Sequence, residues 1–213
     1  MVQVDAGSPE ISPAGRASVG ILLAAGYGRR FAAVSVGDKL FAELPGGQAV
    51  AVASARALRA AVDRVVAVVR PESEALKMLL RAEGCEVLAA AQARQGMGAS
   101  LAAAAAHWLD RAATGQEPVA RVVVALADMP WIRPDTYGRV LSAAGSAAIV
   151  APVYQGERGH PVVFEARLLP ELAALRGDSG AKALVGRHGL TLVGTDDAGV
   201  LRDVDTPQDL PTR

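Results

Sequence analysis

The chain has 213 residues, 51% of them hydrophobic, and 22 Lys plus Arg balance 22 Asp plus Glu. That length and apolar content supply one full core. The zero net charge excludes an overall field that would draw nucleic acid or an anionic membrane, so any anion site must be local.

Residues 1–17, MVQVDAGSPEISPAGRA, mix Gly, Ser and Pro without an apolar run and read as a loose tail ahead of a domain over 18–213. The run from Val19 to Ala25 is too short for a signal segment or a membrane span, and no later run reaches about 18 apolar residues. The cytoplasm is therefore the expected address. The single Cys85 excludes an internal disulfide, which fits a reducing compartment, and such a thiol is ordinarily a small buried hydrophobe.

Short β-branched runs then recur between Ala-rich stretches: VGILLAA at 19–25, RVVAVVR at 64–70, EVLAA at 86–90, RVVVALA at 121–127 and AAIVAPV at 147–153. Continuous apolar strands alternating with helical segments predict a parallel sheet covered on both faces. The helices are expected over 49–61, 72–83, 100–112 and 134–144, with Pro71 opening the second, Gly84 closing it, Ser100 capping the third and Pro134 at the first turn of the fourth. After residue 153 a turn-rich segment, a short strand VVF, helical pieces near 166–175 and 180–187, and a strand-like pair LTLV and VLRDV complete the pattern. The expectation is one three-layer α/β/α domain, mostly parallel, with an antiparallel C-terminal element. Ligands in such sheets sit at the carboxyl ends of the strands, which directs attention to loops 26–39, 91–99, 128–133 and 154–160.

The first of these loops begins within LLAAGYGRRF, after the first strand, where glycines let backbone N–H groups approach phosphate oxygens. The dinucleotide pattern GxGxxG fails because Phe31 stands where the third glycine belongs, and the P-loop pattern fails for want of Gly-Lys-Ser/Thr. What remains is GxGxR, with Arg30 as a bidentate fork and Lys39 as a point charge for a polyphosphate. In LADMP, Asp128 lies just past a buried strand, placed either to hold Mg²⁺ or to cap the following turn. Asp203 and Asp205 of DVDTPQDL read in isolation as turn and cap carboxylates, with Thr206-Pro207 opening a short helix. GMGAS is either an ordinary strand-to-helix loop or a surface for a flat ring. YQGERGHP is either a solvated turn or a binding loop.

Taken together, LLAAGYGRRF with Lys39, GMGASL, LADMP, RGHPVVF and DVDTPQDL resemble the MobA-like nucleotidyltransferases, and within them the molybdenum cofactor cytidylyltransferases. The segments occur in family order and span Val19 to Leu210. The resemblance implies a Rossmann-like, nucleotide-diphospho-sugar transferase-like fold and Mg²⁺-dependent transfer of a nucleotidyl group to an acceptor phosphate. It implies nucleotide contacts at Leu23, Ala24, Ala25, Gly26, Gly28, Gly96 and Met97, with Arg30 and Lys39 on the phosphates. Asp128 matches the metal-binding aspartate, Asp205 its second ligand, and Arg158, Gly159, His160 and Asp178 fall on the acceptor side. The expected substrates are CTP and a molybdopterin-type acceptor, with a molybdoenzyme or its chaperone as a partner and no nucleic acid or membrane. One spacing departs from the family pattern: FAAVSVGD separates Arg30 from Lys39 where the family has about RFGxxK, so either a longer flap returns Lys39 to the phosphates or another cation takes its place, Arg29 being the nearest substitute.

Three rival readings stand beside this one. A related enzyme would use GTP or a sugar or polyol phosphate. An NADP-binding oxidoreductase would use the Gly turn together with Arg70 at the end of the second strand. A nucleotide-binding module without turnover is the third.

Overall fold

The computed structural model describes residues 17–34, 37–115, 118–177 and 181–211. Its sheet has eight strands: β1 Ala17–Leu23, β2 Arg64–Val69, β3 Glu86–Ala89, β4 Val119–Leu126, β5 Ile149–Tyr154, β6 Glu157–Arg158, β7 Val162–Glu165 and β8 Thr191–Gly194. The path across it is β3-β2-β1-β4-β7-β5-β6, with β8 alongside β5. The first four strands pair in parallel, β7 runs antiparallel to both β4 and β5, and β8 is parallel to β5.

Side chains alternate across the pleat into two cores. One face of the sheet presents Leu22, Val65, Ala67, Val123 and Ala125, and the other presents Ile21, Val66, Val68, Val122 and Val124. Helices α2 (Val50–Arg59), α3 (Glu74–Ala82) and α5 (Pro134–Ser142) cover the first face through Leu58, Leu80 and Tyr137. Helices α4 (Met97–Ala113), α6 (Leu169–Ala173) and α7 (Lys182–His188) cover the second through Trp108, Leu172 and Leu184. Gly20 lets α2 approach: a Cβ there would stand 2.9 Å from Val65 Cγ2 and 3.0 Å from Leu58 Cδ2.

Four local expectations need revision. Ser100 does not cap α4: the helix starts at Met97 after Gly96, whose φ of 119° ends the preceding turn, and Ser100 Oγ donates to the Gly96 carbonyl from inside the helix. Pro71 precedes α3, which begins at Glu74. The VLRDV segment is no strand. Residues Ala198–Leu201 form a 3-10 turn, and extended chain follows. Ala17, expected in the tail, is the first residue of β1, and residues 1–16 lie outside the described residues.

Because β2 and β4 flank β1 on opposite sides, the strand order reverses between β1 and β4, and the crevice beyond their carboxyl ends is where an α/β sheet receives ligands. The short helix α1 (Arg29–Val34) starts from that crevice.

Candidate active site

The turn after β1 is built to leave backbone donors available. Ala24 N–H still donates to Val68 carbonyl at 2.9 Å, so Ala24 lines the crevice with its amide already committed. The amides of Ala25, Gly26 and Gly28 enter no internal hydrogen bond among the described residues. Gly28 adopts φ 53°, the left-handed region that glycine tolerates, and its carbonyl accepts from Ala32 to start α1. Ala24, Ala25 and Gly26 border a cavity of about 450 Å³ that Arg94, Gln95, Gly96, Met97, Ser100, Lys39, Leu126 and Asp128 also line, whereas Gly28 and Arg30 stand outside its lining. The cavity thus gathers Leu23, Ala24, Ala25, Gly26, Gly96, Met97, Lys39 and Asp128 from four separate segments. Tyr27, Arg94 and Gln95 are lining residues that the sequence patterns did not single out.

Lys39 lines this cavity despite its longer spacing from Arg30. Asp38 caps a 3-10 turn over Lys39–Phe41, accepting from Leu40 N–H at 3.0 Å. The Lys39 stem passes under Gly28, where a Cβ would lie 3.5 Å from Lys39 Cγ. Lys39 is 7% exposed, and its Nζ stands 2.7 Å from Asp128 Oδ2 and 3.2 Å from Asp205 Oδ1. Burial pulls the Lys39 pKa down, but the hydrogen bonds and charges of Asp128 and Asp205 outweigh it, so the ammonium is held above its ordinary value. Arg30 extends over the rim, 78% exposed, and pairs with Asp205. The side chain of Arg29, the nearest other cation in sequence, lies outside the described residues.

A single backbone contact assembles the carboxylates. Fully buried Val204 donates its N–H to the Asp128 carbonyl at 2.8 Å, and extended chain on either side turns Asp203 and Asp205 to the same face. One ligand oxygen from each of Asp128, Asp203 and Asp205 lies within 4.8 Å of the others. Asp209 then fixes the exit, with its Oδ2 accepting from Asp205 N–H at 3.0 Å and Thr206 N–H at 2.6 Å. Burial and the neighbouring Asp205 and Asp128 charges raise the Asp203 pKa, as expected for crowded carboxylates. Asp203 was readable only as a turn residue in isolation. The available signal was the i, i+2 spacing of two carboxylates around an apolar residue.

A second cavity of about 350 Å³ adjoins the first and shares Leu23, Met97 and Leu126 with it. Arg158, Gly159 and His160 line it together with Lys182 of α7 and an apolar wall that includes Val124 and Phe164. Gly159 is required by packing, since a Cβ would stand 2.3 Å from the Val200 carbonyl oxygen. His160 N–H donates to that same carbonyl at 3.0 Å. His160 is half-buried, its Nδ1 is buried and unpartnered among the described residues, and desolvation lowers its pKa, so it stays neutral at pH 7. Arg158 and Lys182 carry no ion pair or side-chain hydrogen bond among the described residues. Asp178 lies outside the described residues. Arg70, the candidate for an NADP phosphate, pairs instead with Asp38 at 2.6 Å and the Gly26 carbonyl at 2.9 Å.

The family profile of the MobA-like NTP transferase domain matches residues 20–192. The purine catabolism protein PucB of Bacillus subtilis (strain 168) is 26% identical over 201 residues, covering 90% of this chain and 93% of that protein. The crystal structure of Rv0371c from Mycobacterium tuberculosis H37Rv superposes with a TM-score of 0.75 at 26% identity, over 92% of this chain and 96% of the other. Its complex with manganese superposes with a TM-score of 0.69 at 25% identity, over 91% and 95%. Molybdopterin-guanine dinucleotide biosynthesis protein A from Archaeoglobus fulgidus shares the fold, with a TM-score of 0.62 at 19% identity over 90% and 94%.

Proposed function

The chain belongs to the MobA-like NTP transferase family, and from that premise we propose that it transfers CMP from CTP to the phosphate of a molybdopterin-type acceptor, releasing pyrophosphate with Mg²⁺. The observation that carries this reading is the meeting of free amides, a buried lysine and three carboxylates at one strand-switch crevice, beside a second cavity whose cations Arg158 and Lys182 are unpaired among the described residues.

The donor set fits a hard divalent cation. Three carboxylates converge, and the Lys39 ammonium already bridges two of them, so the cluster accepts positive charge where a cation belongs. The manganese complex of Rv0371c supports a divalent site in a related fold. When bound at Asp128, Asp203 and Asp205, the cation supplies charge neutralisation and alignment of the phosphates.

The remaining work belongs to the chain itself. The amides of Ala25, Gly26 and Gly28 cradle the triphosphate, and Lys39 and Arg30 offset its charge as the transition state spreads it over the oxygens. The ring of the base lies against Gly96 and Met97. Arg158, Lys182 and His160 hold the acceptor so that an oxygen of its phosphate lines up with the α-phosphorus of CTP. That oxygen forms the new P–O bond while the bond to the bridging oxygen breaks, and pyrophosphate leaves with the electron pair. A phosphate monoester is already ionised at pH 7, so no base is needed, and neutral His160 serves as a binding group.

Pyrophosphate release measured with CTP, GTP or ATP and a phosphorylated pterin acceptor tests the reading. CTP should support turnover that depends on both acceptor and divalent cation. Preference for GTP would transfer the assignment to a guanylyl donor, and turnover with a sugar or polyol phosphate alone would replace the acceptor.

A further inference from the structure

Arg70 lies just beyond β2, and the reaction described above makes no use of it. Each of its three nitrogens nevertheless has a partner in or beside the site. Nη1 donates to the Gly26 carbonyl at 2.9 Å, Nη2 donates to Asp38 Oδ2 at 2.6 Å, and Nε donates to Ser73 Oγ at 3.1 Å. The guanidinium carbon also stands 5.1 Å from the centroid of the Tyr27 ring. Asp38 uses its other oxygen to accept from Leu40 N–H, capping the turn that begins at Lys39. The Arg70 and Asp38 side chains are 14% and 23% exposed, so solvent screens this pair far less than a surface ion pair.

We propose that Arg70 and Asp38 are positioning residues: a brace from the end of β2 that locks the phosphate-binding turn and the Lys39 turn into one fixed relation. Eight residues separate Arg30 from Lys39, the first four of them within α1, so the chain ties the Lys39 turn to the Gly26 turn only through a long connection and side-chain contacts must fix the two together. The planar guanidinium suits the task because it donates in two directions at once, to a carbonyl on one loop and a carboxylate on the other. A lysine there offers a single charged point. Arg70 touches no reacting atom. It acts through Gly26 and through Asp38 on Lys39, and this inference rests on the reading of Lys39 as a phosphate-binding residue.

Two measurements test the brace. Trace acetylation with an N-hydroxysuccinimide ester, read at Lys39 by peptide mass spectrometry, needs no substrate. Arg70→Met and Asp38→Asn should each raise Lys39 labelling several-fold while other lysines label as before, and Arg70→Lys should not restore the slow rate. CTP binding by calorimetry gives the second readout: Asp38→Asn should weaken binding about tenfold, and the same change in a Lys39→Met background should cost almost nothing, because coupled residues are not additive. Unchanged Lys39 labelling in a folded Asp38→Asn protein would overturn the brace, as would an equal loss of CTP affinity in both backgrounds. Raised labelling combined with normal CTP binding by Lys39→Met would keep the brace and remove Lys39 from the nucleotide site. The two readings thus fail separately.

Discussion

The two cavities differ in how their charge is balanced. In and beside the first, Lys39 in the lining and Arg30 and Arg70 next to it all face carboxylates of the same chain, and Lys39 has two. In the second, the solvent-exposed Arg158 and Lys182 have no counter-charge, and the buried Nδ1 of His160 has no partner, among the described residues. A site whose charges are paired internally is shaped by folding itself. A site whose cations stand unpaired is completed by its ligand, so substitutions in the first should disturb both fold and chemistry, and substitutions in the second should read out mainly in acceptor binding.

The sharpest break of that contrast is Asp128→Ala. It removes a member of the acidic cluster and the nearest partner of a buried lysine. Nucleotidyl transfer should fall by about 10² to 10³, and denaturant unfolding should show a loss of about 2 kcal/mol. Unchanged stability would show that the charges of the first cavity do not depend on one another for folding. Gly159→Ala tests the second cavity where packing rather than charge governs it. The clash with the Val200 carbonyl should cost about 1–3 kcal/mol in unfolding experiments, because backbone must move to accept the methyl group.

Arg158→Ala and Lys182→Ala refine the comparison from the other side. Each should raise the acceptor KM about tenfold, leave the CTP KM alone and change stability by no more than about 0.5 kcal/mol. An effect on CTP instead of the acceptor would merge the two cavities into one site. The smallest effect is expected from pH. His160 has a folded-state pKa below its unfolded value, so between the two values the unfolded chain binds the extra proton. Stability is therefore fully present above about pH 6.5 and declines as pH falls through the folded-state pKa. Unfolding titrations of His160→Gln should show a shallower decline over the same range.

The readability of the sequence follows the same division. Strands β1, β2 and β4 announce themselves because a doubly covered parallel strand must be apolar on both faces, leaving continuous runs such as RVVAVV. Loops at their carboxyl ends could then be named, and Leu23–Gly26, Gly96, Met97, Lys39 and Asp128 do meet in one cavity. What escaped depends on partners distant in sequence. VLRDV has strand-like composition, yet its Val204 contributes one backbone hydrogen bond to Asp128 and no ladder. Ser100 has the right chemistry for a cap, but a glycine four residues earlier already starts the helix. Arg70 resembled a phosphate ligand because nothing local reveals Asp38 and Gly26 across the sheet end. Lys182 sits on a short helix whose relation to Arg158 is fixed only when α7 packs through Leu184.

The hydrogen bond from Val204 to Asp128 carries one more consequence, for the order in which activity appears during folding. Until the segment around Val204 docks, a chain that has already formed its parallel sheet holds one carboxylate instead of three, and Lys39 has only part of its counter-charge. On the proposed reading of the cluster as a cation site, cation affinity therefore reports whether this segment is docked: a chain with its sheet formed and the Val204 segment detached should bind the ion weakly.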